Sequence, residues 1–115
     1  MDSTPLYNLD NIKAIDNAED FILQVITIFL KTVPANTEAL AKACVEKDWE
    51  QVYFYAHKIK SNVKLLNISS VIDDVLFVEE SAKGRIRLGE IEERVKVIGE
   101  VITLVKADMT DKFIL

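Results

Sequence analysis

The sequence predicts an all-α protein: an antiparallel up-and-down four-helix bundle preceded by one short helix. Three observations carry that expectation. Apolar residues recur at three- and four-residue spacing almost everywhere, which is the rhythm of one helix face. Three glycines and two prolines in 115 residues are too few for a turn-rich β-sandwich. No segment alternates as a strand does, and amphipathic helices with short connections pack as antiparallel bundles.

The elements follow in order. A short opening helix from about Leu9 to Ile15 closes one end of the assembly. In the first long segment Ile22, Val25, Ile26, Phe29, Leu30 and Val33 keep the helical rhythm. Asn17 suits its N-cap, and Glu19 and Asp20 suit the positive end of the helix dipole. Pro34 interrupts the pattern, and Leu40, Ala41 and Cys44 resume it. The expectation is one long helix bent at Pro34, or two helices meeting there.

Asp48 is the next cap, with Gln51 at capping-box spacing and Trp49 in the first turn. That helix runs to about Leu66. "NISS" breaks it, and Ser70 with Asp73 resembles another capped start. Val71, Ile72, Val75, Leu76, Val78 and Ala82 carry the following helix, which Gly84 is expected to end. The last helix, about Leu88 to Lys106, buries Ile91, Val95, Ile98, Ile102 and Val105. Gly99 lies inside it and costs about 1 kcal/mol against alanine.

Composition narrows the function. The length is that of one domain, able to bury roughly two thirds of its unfolded surface. A net charge of -5 disfavours nucleic acid as a partner, because phosphate backbones need a basic footprint. A single cysteine, Cys44, excludes an internal disulfide and suggests a reducing compartment. With one cysteine and one histidine, no four-ligand zinc site can be built within the chain. The greasiest run, "FILQVITIFL", is broken by Gln24 and Thr27, so no membrane span is expected. The start lacks the pattern of a signal peptide, and a cytoplasmic monomer is expected. No Gly-rich phosphate cradle or kinase motif occurs, so ATP binding is not expected.

The only histidine sits in "AHKIKSNVKLL", among lysines. With Ile59 as the zero direction of its helix, Val52, Tyr55, Ala56, Val63 and Leu66 fall within about 60° and form the core stripe. His57 falls at about 160°, nearly opposite. Glu50, Tyr53, Lys60, Ser61 and Lys64 share its outer arc, while Phe54 and Leu65 read as shoulder positions sealing against a neighbouring helix. The ring therefore projects from mid-helix into solvent or a shallow groove. Taken singly, Lys60 and Lys64 are ordinary solvated lysines. Together they suit a histidine that becomes anionic: cations favour a neutral imidazole, a neutral ring nitrogen is a competent nucleophile, and a phosphorylated one is stabilised by ammonium groups.

These residues resemble the histidine-containing phosphotransfer (HPt) domains of phosphorelays. The family pattern, roughly A-H-x-[LI]-K-G-[SA]-[SA]-x-x-[LIV]-G, is matched here by Ala56, His57, Ile59, Lys60 and Leu66. The approach "EKDWEQVYFYAH" is also similar, and the resemblance covers about Leu6 to Asp108. It implies a single HPt-like domain over residues 1–115 with its core at about 6–108. It implies that His57 is phosphorylated through its outer ring nitrogen, with Lys60 beside the phosphoryl group.

The implied partners are response-regulator receiver domains and a hybrid histidine kinase. The chain itself would need no cofactor, since the receiver carries the reacting aspartate and Mg²⁺. Three positions depart from the pattern: Ser61 and Asn67 stand where glycine is usual, and Lys64 often replaces a small residue. Ser61 could donate to the phosphoryl group, Lys64 could select or attract a partner, and Asn67 tolerates a left-handed backbone. Docking is expected on the outer arc of the histidine helix with part of the helix before it, through Tyr53, Phe54, Ser61, Lys64 and Leu65. The rival readings are an HPt-like adaptor that no longer transfers phosphate and an unrelated bundle with a coincidental motif. The short flanks favour a free-standing protein.

Overall fold

A computed structural model describes residues 5–113, so the ends of the expected 1–115 unit lie outside the described residues. Five helices follow one another: α1 Asp10–Ile15, α2 Glu19–Val45, α3 Trp49–Leu65, α4 Ser69–Gly84 and α5 Leu88–Phe113. No strand occurs among the described residues. α2 packs on α3, α3 on α4, α4 on α5, and α5 returns to α2, which is a four-helix bundle. Connections this short leave no room for a crossover, so consecutive helices run antiparallel. α1 lies against α2.

The core follows the sequence rhythm. Val52, Ala56, Ile59, Val63 and Leu66 of the α3 stripe are all buried, as are Val71, Val75, Val78 and Ala82 on α4 and the five expected α5 residues. Tyr55 of the α3 stripe, Ile22, Val25 and Leu30 of α2, and Ile72 and Leu76 of α4 are only half-buried, and Ala41 is exposed on α2. α2 continues as one helix through Pro34.

Helix ends are where the structure departs from expectation. Asp48 caps α3 as predicted, accepting from the Gln51 amide at 3.3 Å. The other two expected caps are not used. α2 begins after Ala18, which makes no side-chain cap; Asp16 Oδ1 accepts from the Ala18 amide at 2.9 Å just before the helix starts. α4 begins one residue before Ser70, behind Ile68, which has no capping side chain. Buried Ile68 and Val71 anchor that start instead.

α2, α3 and α4 end in one and the same hook. The amides of Asp48, Ile68 and Ile86 reach back to the carbonyls of Ala43, Val63 and Ser81 at 3.0, 2.9 and 3.0 Å. The residue before each amide is left-handed: Lys47 (φ 57), Asn67 (φ 49) and Arg85 (φ 55). This is the Schellman arrangement that satisfies orphan carbonyls. Asn67 takes the conformation at the least cost, as its position predicted. Gly84 is the last residue of α4 and Arg85 is the left-handed one, so the glycine does not make the turn.

α5 runs seven residues past the expected end at Lys106. Met109 is fully buried, and Phe113 packs on the core. Burial first, then the neighbouring Asp108 carboxylate, pushes the Tyr7 phenol well above its ordinary range. The N-terminal segment is tied down at its other side too. Asn8 N–H donates to the Leu66 carbonyl at 3.0 Å, and Asn67 Nδ2 donates to Asn8 Oδ1 at 2.7 Å. The extended α5 and this strap close the end of the bundle near the α3–α4 turn.

Candidate functional site

His57 lies near the middle of α3, on the seam that α3 forms with α4, and its side chain is 57% exposed. The core stripe beneath it fixes the orientation. Ala56 and Ile59 are fully buried, so the two positions between them, His57 and Lys58, face outward. Tyr53, one turn earlier, stacks on the imidazole at 5.7 Å between ring centroids and 27° between planes.

The seam adds a residue that the sequence reading did not single out. Glu79 of α4 places Oε2 2.7 Å from His57 Nδ1 and Oε1 3.0 Å from Lys60 Nζ. One carboxylate thus joins the imidazole to the ammonium. Partial burial by itself pushes the Glu79 carboxyl up, but hydrogen bonds from Lys60 and His57, with their charges, outweigh it and hold the group below its ordinary value. Glu79 is therefore ionised at neutral pH. An ionised carboxylate only accepts, so the proton in the 2.7 Å contact belongs to Nδ1. In a neutral ring that leaves the lone pair on Nε2.

A shallow depression runs beside the ring, lined by Tyr53, His57, Lys60, Leu76, Glu79, Glu80 and Lys83. Lys83 Nζ lies 5.8 Å from the Tyr53 ring centre. Of the sequence-predicted residues, Tyr53, His57 and Lys60 meet here. Ser61 and Lys64 are exposed on the same helix but do not line the depression. Phe54 and Leu65 also stay outside it. Leu65 packs on the core, as a shoulder residue should. Phe54 does not seal against a neighbour: it is 45% exposed, with Lys58 Nζ 4.9 Å from its ring and Tyr55 against its edge. Its direction, about 140° from Ile59, explains why.

The shallow groove beside His57 is formed with α4. The ring is not held among cations alone, because a carboxylate stands between it and Lys60. The signal for Glu79 was present but needed a register. In a tight antiparallel hairpin, residues equidistant from the turn face each other. His57 and Glu79 are both eleven residues from Ile68, and Tyr53 and Lys83 both fifteen.

Among the described residues, no group of three or more His, Cys, Asp or Glu side chains could hold a metal ion. Nor is any helix long and apolar enough to cross a membrane. Cys44 is buried; burial, then the Glu92 charge, push its thiol up.

The arrangement is an outward imidazole on a regular helix, with a carboxylate at its inner nitrogen and an ammonium beside that carboxylate. Sequence comparison points to signalling proteins. The chain is similar to the virulence sensor protein BvgS of Bordetella pertussis, with 29% identity over 86 residues, 73% of this chain. The BvgS proteins of Bordetella bronchiseptica and Bordetella parapertussis are each 28% identical over the same share. The matched segment is 7% of the length of these curated relatives. No protein-family model and no solved structure matches the chain.

Proposed function

We propose that this chain is a histidine phosphotransfer domain, relaying a phosphoryl group between receiver-domain aspartates and His57 in a two-component phosphorelay. The observation that carries the reading is the 2.7 Å contact from His57 Nδ1 to Glu79, on a ring more than half exposed at mid-helix. It commits Nδ1 to the protein and leaves Nε2 as the attacking atom. The likeness to virulence sensor proteins supports a signalling role. The motif resemblance supports receiver domains, and a hybrid histidine kinase upstream of them, as partners.

The step is an in-line displacement. The Nε2 lone pair forms the N–P bond, the aspartyl O–P bond breaks, and its electron pair stays on the receiver carboxylate. Such transfers depend mainly on positioning and on stabilising charge. On this reading Mg²⁺ and the reacting aspartate come with the receiver. Lys60 and the docked surface around Tyr53, Ser61, Lys64 and exposed Phe54 come from this chain.

The test is incubation with a phosphorylated receiver, followed by a search for acid-labile, base-stable label on the chain. Transfer is expected, and His57→Gln should abolish it. Label retained in that variant rejects the assignment. Stable receiver binding without any label points to an adaptor instead.

A further inference from the structure

We infer that Glu79 makes the phosphorylated His57 a reactive donor, by holding its ring in the protonated form from which phosphate leaves. The inference rests on the reading of His57 as the phosphoacceptor, and it concerns what happens after the N–P bond forms.

Attack by a neutral imidazole gives a ring carrying both the phosphoryl group on Nε2 and a proton on Nδ1, hence a positive ring charge. Losing the Nδ1 proton gives a neutral phosphoimidazole whose ring is a poor leaving group. Keeping it gives an imidazolium. When the Nε2–P bond breaks, the electron pair then returns to Nε2 and leaves a neutral imidazole with its proton still on Nδ1. The phosphoryl group passes to a receiver carboxylate or to water. Whatever holds the Nδ1 proton therefore sets how readily the phosphate departs.

Here that proton faces a carboxylate at 2.7 Å. The side chain of Glu79 is only 15% exposed, so water screens the interaction weakly. The other charged groups are few. On α3, Lys60 binds the far oxygen of Glu79 at 3.0 Å and offsets part of its charge, and Lys58 and Lys64 are exposed neighbours. On α4, Glu80 and Lys83 line the same depression with opposite signs. Tyr53 stacks on the ring as a neutral face. Among the described residues, only Glu79 lies within hydrogen-bond distance of Nδ1.

An uncharged partner distinguishes this role from simple positioning. Glu79→Gln keeps an acceptor at Nδ1 and nearly the same shape, but removes the charge. A chain phosphorylated with phosphoramidate, a small-molecule donor that needs no receiver, can be followed by ³¹P NMR as the phosphohistidine signal decays across a pH series. In the wild type the decay is expected to stay fast to higher pH. In Glu79→Gln it should be about tenfold slower near pH 8, as loss of roughly one charge interaction implies, with its fall displaced to lower pH. Superimposable rate–pH profiles for the two proteins would overturn the inference while leaving His57 as the acceptor. A wild-type chain that takes no histidine label from the donor overturns the phosphoacceptor reading, and this inference with it.

Discussion

The α3–α4 seam and the α2–α5 seam lie on opposite sides of the same bundle, and they were built by the same apolar rhythm. The α2–α5 seam holds the larger concavity, a groove of about 740 Å³ lined by Pro34, Thr37, Ala41, Gly99 and Leu104 among others. Among the described residues it carries no ion pair between its two helices. The α3–α4 seam holds a smaller depression, yet it joins a histidine, a carboxylate and an ammonium within hydrogen-bond distance. Size does not mark the site here. Packing makes both seams, and of the two, among the described residues, only the α3–α4 seam joins charged side chains of its two helices within hydrogen-bond distance.

Substitutions matched across the two seams sharpen this contrast. The largest effect should come from the floor beneath His57. Ile59→Ala removes a fully buried side chain and should cost about 2–5 kcal/mol in denaturant unfolding. Leu104→Ala on the opposite seam removes a side chain that is 54% exposed, and should stay within about 0.5 kcal/mol. Equal costs would mean that the two seams are packed alike.

Next come the lysines. Lys60→Ala should slow transfer from a phosphorylated receiver by on the order of ten- to a hundredfold, whereas Lys96→Ala beside the α2–α5 groove should leave it unchanged. A uniform loss in both would reduce the role of Lys60 to general surface charge. The smallest effect should be Gly99→Ala. A Cβ there meets nothing within 4 Å, so the helix should gain about 1 kcal/mol without any change in transfer.

How far the sequence could be read divides along physical lines. The α3 core stripe was legible because burial follows a fixed 100° step, and His57 opposite Ile59 followed from it. Asp48 was legible as a cap because its acceptor and the Gln51 amide are local. Asn67 was legible because few residues take a left-handed backbone cheaply. Glu79 was not, because its partner lies on another helix and the pairing depends on where the α3–α4 turn falls.

The same reason hid the true end of α5. Met109 and Phe113 are tertiary anchors, and no local signal marks them. Arg85 shows the limit from the other side. The hook needs a left-handed residue after Gly84, and the chain supplies arginine where propensity favours glycine. Phe54 was misplaced by a simpler error of angle.

The central claim is that one ring nitrogen is held by the protein and the other is offered to a partner. It is tested most directly by ¹⁵N–³¹P correlation on histidine-labelled protein after transfer from a phosphorylated receiver. The account predicts phosphorus on Nε2 of His57, with Nδ1 still protonated against Glu79. Phosphorus found on Nδ1, or on no histidine at all, would contradict it.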